Sequence, residues 1–134
     1  MKKIILFFLV ITGISACSTD HYTGEERTVL EGRVTTDLTS EQGVEVTVFP
    51  SSFSPESGDI AEIEQHSDQH SRYAISTTTT DKNGNFSLSF PQNEKNDVYY
   101  IEIKKDIHTK YYGYISEFNV TNHYINVGTL NFNF

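Results

Sequence analysis

Cysteine occurs once in the 134 residues, at Cys17, tryptophan is absent, and the only methionine is Met1. A single cysteine excludes an internal disulfide and any multi-cysteine zinc or iron–sulfur site. Positive charge is scarce: 10 lysines and arginines stand against 18 aspartates and glutamates, a net charge of −8. Nucleic acid is excluded as a partner on that ground, because phosphate binding draws on a surplus of basic side chains to displace counterions. Helix signals are almost missing. A composition that is 37% hydrophobic and 21% charged fits one ordinary globular domain with little beside it.

The chain opens with Lys2 and Lys3, then an apolar stretch from Ile4 that reaches only to Ile14. A membrane-spanning helix wants roughly 20 apolar residues, whereas the apolar region of a signal peptide wants about 7–15. The stretch therefore reads as a signal peptide, residues 1–16. Ile14-Ser15-Ala16-Cys17 resembles the lipobox of bacterial lipoproteins, where small residues let the extended backbone enter a peptidase cleft. The resemblance implies that the Cys17 thiolate takes up a diacylglyceryl group and that the freed amino group is commonly acylated with palmitate-type chains. The other reading is an ordinary secretory signal cut after Ala16, which would leave an exposed thiol in an oxidising compartment. Losing residues 1–16 removes two lysines and no acid, leaving a net charge of −10, so acyl chains and not charge would hold the protein at an anionic membrane. The expected location is the bacterial cell envelope, lipid-anchored at the outer membrane.

Residues 17–28 are polar and lack hydrophobic periodicity, which reads as a flexible tether. From residue 29 to 134 short runs alternate apolar and polar residues between Gly, Asn, Asp and Pro turns, the pattern of antiparallel strands with one face buried. Strands are predicted over residues 29–35, 44–49, 72–79, 85–90, 98–104, 111–120 and 124–134. Inward positions include Leu30 and Val34; Val44, Val46 and Val48; Phe86, Leu88 and Phe90; and Tyr99, Ile101 and Ile103. Asp81-Lys82-Asn83-Gly84 predicts a tight hairpin turn. In the last strand Ile125 and Val127 lie in one register and Leu130, Phe132 and Phe134 in the other, which predicts a β-bulge at Gly128. Residues 51–71 lack alternation and read as a long acidic loop with at most a short helical turn around Ile60 and Ile63. Seven strands in one sheet would leave an apolar face in water, so the expected fold is all-β, a seven-stranded antiparallel sandwich.

Leu30-Glu31-Gly32-Arg33-Val34, Gly43-Val44-Glu45-Val46-Thr47-Val48, Thr79-Thr80-Asp81-Lys82-Asn83-Gly84-Asn85-Phe86 and Ile125-Asn126-Val127-Gly128-Thr129-Leu130 together resemble a carboxypeptidase regulatory-like domain, a seven-stranded sandwich related to transthyretin (prealbumin). Members of that family are usually accessory modules without catalytic residues. The resemblance therefore implies a non-catalytic module that binds an envelope protein or glycan, and it transfers no active site.

Three constellations carry possible chemistry. Glu62, Glu64, His66, Asp68 and His70 fall at every second position, so an extended segment would put all five on one face, suited to zinc or copper through neutral imidazole and carboxylate. The plain alternative is a solvated acidic loop. Outward tyrosines in the last strands, Tyr100, Tyr112 and Tyr114, would make a stacking platform for sugar rings, although tyrosine is also a good strand former in its own right. Asp81, Asn83 and Asn85 begin like a calcium loop, but glycine and glutamate are missing at its sixth and twelfth positions. Neither His-Glu-x-x-His nor Gly-x-Ser-x-Gly occurs, so no enzyme and no required cofactor is expected.

Overall fold

The computed structural model describes residues 26–53, 57–64, 73–91, 98–116 and 119–134. Cys17, the tether up to residue 25, and His66, Asp68 and His70 lie outside them. Among the described residues nine strands follow one another: β1 (Arg27–Thr36), β2 (Thr39–Ser40), β3 (Glu45–Pro50), β4 (Ala61–Ile63), β5 (Ser76–Thr79), β6 (Asn85–Pro91), β7 (Tyr99–Lys105), β8 (His108–Ile115) and β9 (Tyr124–Asn131). They form two sheets packed face to face, a β-sandwich. In one sheet β1 is central, with β6 and the short β2 on one side and β9 on the other; the second runs β4-β8-β7-β3-β5.

The strand count is nine where the alternation predicts seven, and both additions have a physical reason. β2 is a two-residue return after a tight turn in which Asp37 and Leu38 both have positive φ, 46° and 68°. Such a turn usually announces itself by Asn-Gly or Asp-Gly, so Asp37-Leu38 does not read as one. β4 lies within the segment read as a loop and pairs antiparallel with β8, Ala61 opposite Gly113 and Ile63 opposite Tyr111. Three residues are too few to show alternation. The arrangement is also not wholly antiparallel, because β9 runs parallel to β1. The chain leaves β8 in the other sheet and enters β9 from the end at which β1 begins. β1 itself starts at Arg27, so Thr28 is a buried strand residue and not part of the tether.

The core is built as the periodicity predicts. Leu30, Val34, Leu88, Phe90, Ile125 and Leu130 from one sheet meet Val46, Val48, Ile101, Ile103 and Ile115 from the other. Each such side chain contributes roughly 1.5–3 kcal/mol by leaving water. Gly128 adopts φ 69°, and the β1 register steps from Glu31 opposite Asn126 to Arg33 opposite Thr129. Gly32 therefore faces both Val127 and Gly128, a bulge at the predicted place. A Cβ on Gly32 would stand 2.5 Å from Val127 Cγ2 and 2.7 Å from Phe86 Cζ, so the glycine makes room for those two side chains.

Residues 81–84 do form a tight turn, but one that carries the chain between sheets, since β5 pairs with β3 and β6 with β1. Asp81 Oδ1 accepts the amides of Asn83 (2.8 Å) and Asn85 (2.9 Å), and the Gly84 amide donates to the Asp81 carbonyl at 2.9 Å. Thr80 ties this corner to the β2–β3 connection, donating its hydroxyl to the Glu41 carbonyl at 2.6 Å and accepting the Val44 amide at 3.0 Å.

Candidate functional site

Strand alternation sends every second residue of β1, β6 and β9 outward, and the register sets these residues in rows. Ser87, Glu31 and Asn126 form one row across the three strands, and Asn85, Arg33 and Thr129 the next. All six are polar. They floor an open groove of about 690 Å³, bordered by Thr79 and Asp81 of the corner between the sheets and by Gly128 of the bulge.

The charged groups of this floor are held in place. The Glu31 carboxylate accepts the Tyr124 hydroxyl at 2.6 Å on one oxygen and the Ser87 hydroxyl at 3.2 Å on the other. The Tyr124 hydroxyl is shifted upward from its ordinary pKa, first because it donates to Glu31 and then by desolvation and the carboxylate's charge. Arg33 donates Nε to the Asn83 carbonyl at 3.1 Å and Nη2 to Ser40 Oγ. Tyr124 itself is 40% exposed, so its ring remains open to a ligand while its hydroxyl is committed. The result is a fixed acceptor, a fixed set of donors, neighbouring amides and hydroxyls, and an accessible aromatic ring whose hydroxyl is bonded to Glu31 of the groove.

The tyrosines that the sequence offers as a platform are not gathered on one open face. Tyr112 points inward into the core and donates its hydroxyl to the Asn131 carbonyl. Tyr100 points outward but is 3% exposed, stacked on Phe49 at 5.1 Å and tilted against Tyr111 at 6.2 Å. Burial, then the charge of Glu102 and the neighbouring Tyr111 and Tyr114, push its hydroxyl up to about 12. Tyr114 is half-buried and stacks on Phe53 at 4.5 Å. The alternation is right about Tyr100, but it takes the outer face for a wet one. Here Phe53, just past β3, and Ile63 of β4 lie on that face, Ile63 close over Gly113.

Of the five residues of the metal reading, Glu62 and Glu64 are described and exposed. Glu62 is paired with Lys110 at 2.9 Å. Among the described residues no group of three His, Cys, Asp or Glu side chains is placed to hold a metal ion. Nor is any helix among them long and apolar enough to cross a membrane.

Glu31, Arg33, Tyr124 and Asn126 are absent from the sites read off the sequence. Each appears there as the polar half of an alternating strand; what joins them is the order β6-β1-β9, which alternation does not disclose.

No family model and no curated protein matches the chain. Among solved structures, the chain is similar to the crystal structure of a 9R-lipoxygenase from Cyanothece PCC8801, with 15% identity and a TM-score of 0.46. That match covers 78% of this chain and 16% of the lipoxygenase chain.

Proposed function

We propose that the chain is a lipid-anchored accessory module of the bacterial cell envelope, tethered at the outer membrane through Cys17, whose sandwich binds a glycan without catalysis. In this reading the sandwich is a transthyretin-like variant of the carboxypeptidase regulatory-like domain, extended by β2 and β4. The observation that carries the glycan over a protein ligand is the groove across β6, β1 and β9, with Glu31 fixed between Tyr124 and Ser87. Sugars offer many hydroxyls, each both donor and acceptor, and an apolar ring face. A carboxylate accepts from hydroxyls, guanidinium and amide groups donate to them, and an exposed tyrosine ring stacks on the C–H face. Because the floor is pre-organised by its own hydrogen bonds, little side-chain entropy is lost when a ligand arrives. The anchor is supported by Ile14-Ser15-Ala16-Cys17 following a short apolar stretch.

The test is a calorimetric titration of the mature chain with a panel of neutral, amino-sugar and uronic-acid oligosaccharides. The proposal expects at least one class to bind, with binding weakened by Glu31→Gln and by Tyr124→Ala. Absence of heat across the panel removes the glycan reading.

A further inference from the structure

Glu31 and Arg33 stand two residues apart on the outward face of β1, their Cα atoms about 7 Å apart, and both line the groove. They carry opposite charge and do not pair. Glu31 reaches to one side of its strand for the Ser87 hydroxyl on β6 and to the other for the Tyr124 hydroxyl on β9. Arg33 is held by the Asn83 carbonyl of the corner and by Ser40 of β2. Both of those partners lie past Arg33 along β1, away from Glu31, since Asn85 is opposite Arg33 and Ser40 opposite Thr35. All four groups are neutral. The ion pairs among the described residues are Glu41 with Lys105 and Glu62 with Lys110, so no described side chain neutralises either charge of the groove.

From this we infer that the ligand of the groove is a zwitterionic glycan, in which an unacetylated amino sugar adjoins a uronic acid, with its ammonium on Glu31 and its carboxylate on Arg33. The inference rests on the glycan reading above and names the class of sugar. Hydroxyls hold the Glu31 carboxylate in place without answering its charge, and a carbonyl and a hydroxyl do the same for the guanidinium. Each group also keeps capacity to bind. Either oxygen of Glu31 takes one donor and can accept a second, and no described residue takes Nη1 of Arg33. A singly charged sugar fits less well. An all-amine glycan sets an ammonium against Arg33, and an all-uronate glycan sets a carboxylate against Glu31.

The charges around the pair favour neither sign. Asp81 borders the groove with Oδ1 filled by two backbone amides, and Arg27, four residues before Glu31 on the same face of β1, is held on Ser89. The face therefore carries Glu31 and Asp81 against Arg27 and Arg33, which offers no net field to a polycation or a polyanion. At longer range the chain's net charge of −8 works against a polyuronate. Because Glu31 and Arg33 occupy successive rows of the floor, the amine and the acid belong on adjoining sugar rings. Both side chains are held before the ligand arrives, so the dipole is preformed.

The experiment titrates the mature chain calorimetrically with tetrasaccharides of alternating glucosamine and glucuronic acid, the same sugar N-acetylated, glucosamine alone and galacturonic acid alone. The alternating sugar is expected to bind about tenfold or more tightly than each of the others at low salt, with the margin shrinking in high salt. Glu31→Gln should erase its margin over the N-acetylated form. Arg33→Gln should erase its margin over glucosamine alone, whereas Arg33→Lys, which keeps the charge, should retain it; urea midpoints of the three variants check that the fold is kept. Equal affinity for the alternating, N-acetylated and glucosamine sugars overturns the inference and leaves the glycan reading standing, as does tighter binding of a neutral or singly charged sugar. Margins that survive in both Gln variants overturn the assignment to Glu31 and Arg33. Absence of heat with these sugars and with neutral oligosaccharides removes the glycan reading and the inference together.

Discussion

Tyr124 of β9 donates its hydroxyl to Glu31 of β1 at 2.6 Å, across two strands that run parallel. The bond leaves the tyrosine ring exposed and the carboxylate fixed at the floor of the groove. Tyr124→Phe keeps the ring and removes the donor. It should cost the fold little, because a side-chain hydrogen bond at the surface is made in competition with water. Binding should weaken without being lost, whereas Tyr124→Ala should weaken it further. Urea midpoints and the calorimetric titration of both variants check this ordering; equal binding by both would mean that the ring takes no part.

Gly84 carries the corner between the sheets. Its φ is 75°, and a Cβ there would stand 2.5 Å from the Val34 carbonyl oxygen and 3.1 Å from the Glu41 nitrogen. Both neighbours are backbone, so nothing yields cheaply. Gly84→Val should destabilise the domain by more than about 2 kcal/mol. Asn83→Ala leaves the carbonyl that Arg33 uses and should cost under about 1 kcal/mol. Urea unfolding of the two variants separates them, and equal midpoints would contradict this account of the corner.

The segment read from sequence as a long acidic loop contributes packing. Ile60 lies against the core, Phe53 stacks on Tyr114, and the Asn119 side chain donates to the Gly58 carbonyl. Replacing residues 51–71 by a short Gly/Ser linker removes β4 and uncovers the face bearing Tyr100 and Tyr114. The domain should then lose several kcal/mol and bind a hydrophobic dye, by the loss of buried apolar area alone. A wild-type urea midpoint for the replacement would contradict it.

Protonation gives opposite signs at the two ends of the pH scale. The Tyr100 hydroxyl ionises near 10 in an unfolded chain and near about 12 in the fold, chiefly through burial, so the folded state holds this proton more tightly. Its contribution is complete below pH 10 and lost as pH rises toward 12. Burial also raises Tyr111, Tyr112 and Tyr114. Stability should therefore fall at alkaline pH, with tyrosinate absorbance rising in step with unfolding. Glu41 is displaced downward from 4.5, first by its hydrogen bond to Lys105. That contribution is present above pH 4.5 and lost as pH falls through the lower folded value. Because the pair is partly exposed, Glu41→Gln should cost less than about 1 kcal/mol near neutrality. The difference between variant and wild type should vanish in acid.

Cys17→Ser should abolish incorporation of a labelled fatty acid and release the domain from membranes or stall its processing, while the urea midpoint of the sandwich stays the same. A wild-type chain that takes up no label and fractionates as soluble removes the anchor from the proposal.

Elements with strong periodicity were legible. Val44, Val46 and Val48, and likewise Phe86, Leu88 and Phe90, face the core as their spacing implies, and the change of phase at Gly128 marked the bulge. Short elements were not. β2 follows a turn without glycine, and β4 is too brief to alternate. Side-chain direction was legible for Tyr100, but its burial was not, because it comes from outward aromatic neighbours on other strands, Phe49 of β3 and Tyr111 of β8. The groove was hidden for a further reason. Glu31, Ser87 and Asn126 lie far apart in sequence and become neighbours only through the antiparallel pairing of β1 with β6 and the parallel pairing of β1 with β9, which no local signal encodes.

The central claim is that the face built by β6, β1 and β9 receives the ligand, and amide chemical shifts of the isotope-labelled mature chain during titration with the oligosaccharide panel test it most directly. The account predicts saturable shifts concentrated at Glu31, Arg33, Ser87, Tyr124 and Asn126, reduced in Glu31→Gln. Shifts confined to the opposite sheet, or none with any oligosaccharide, would contradict it.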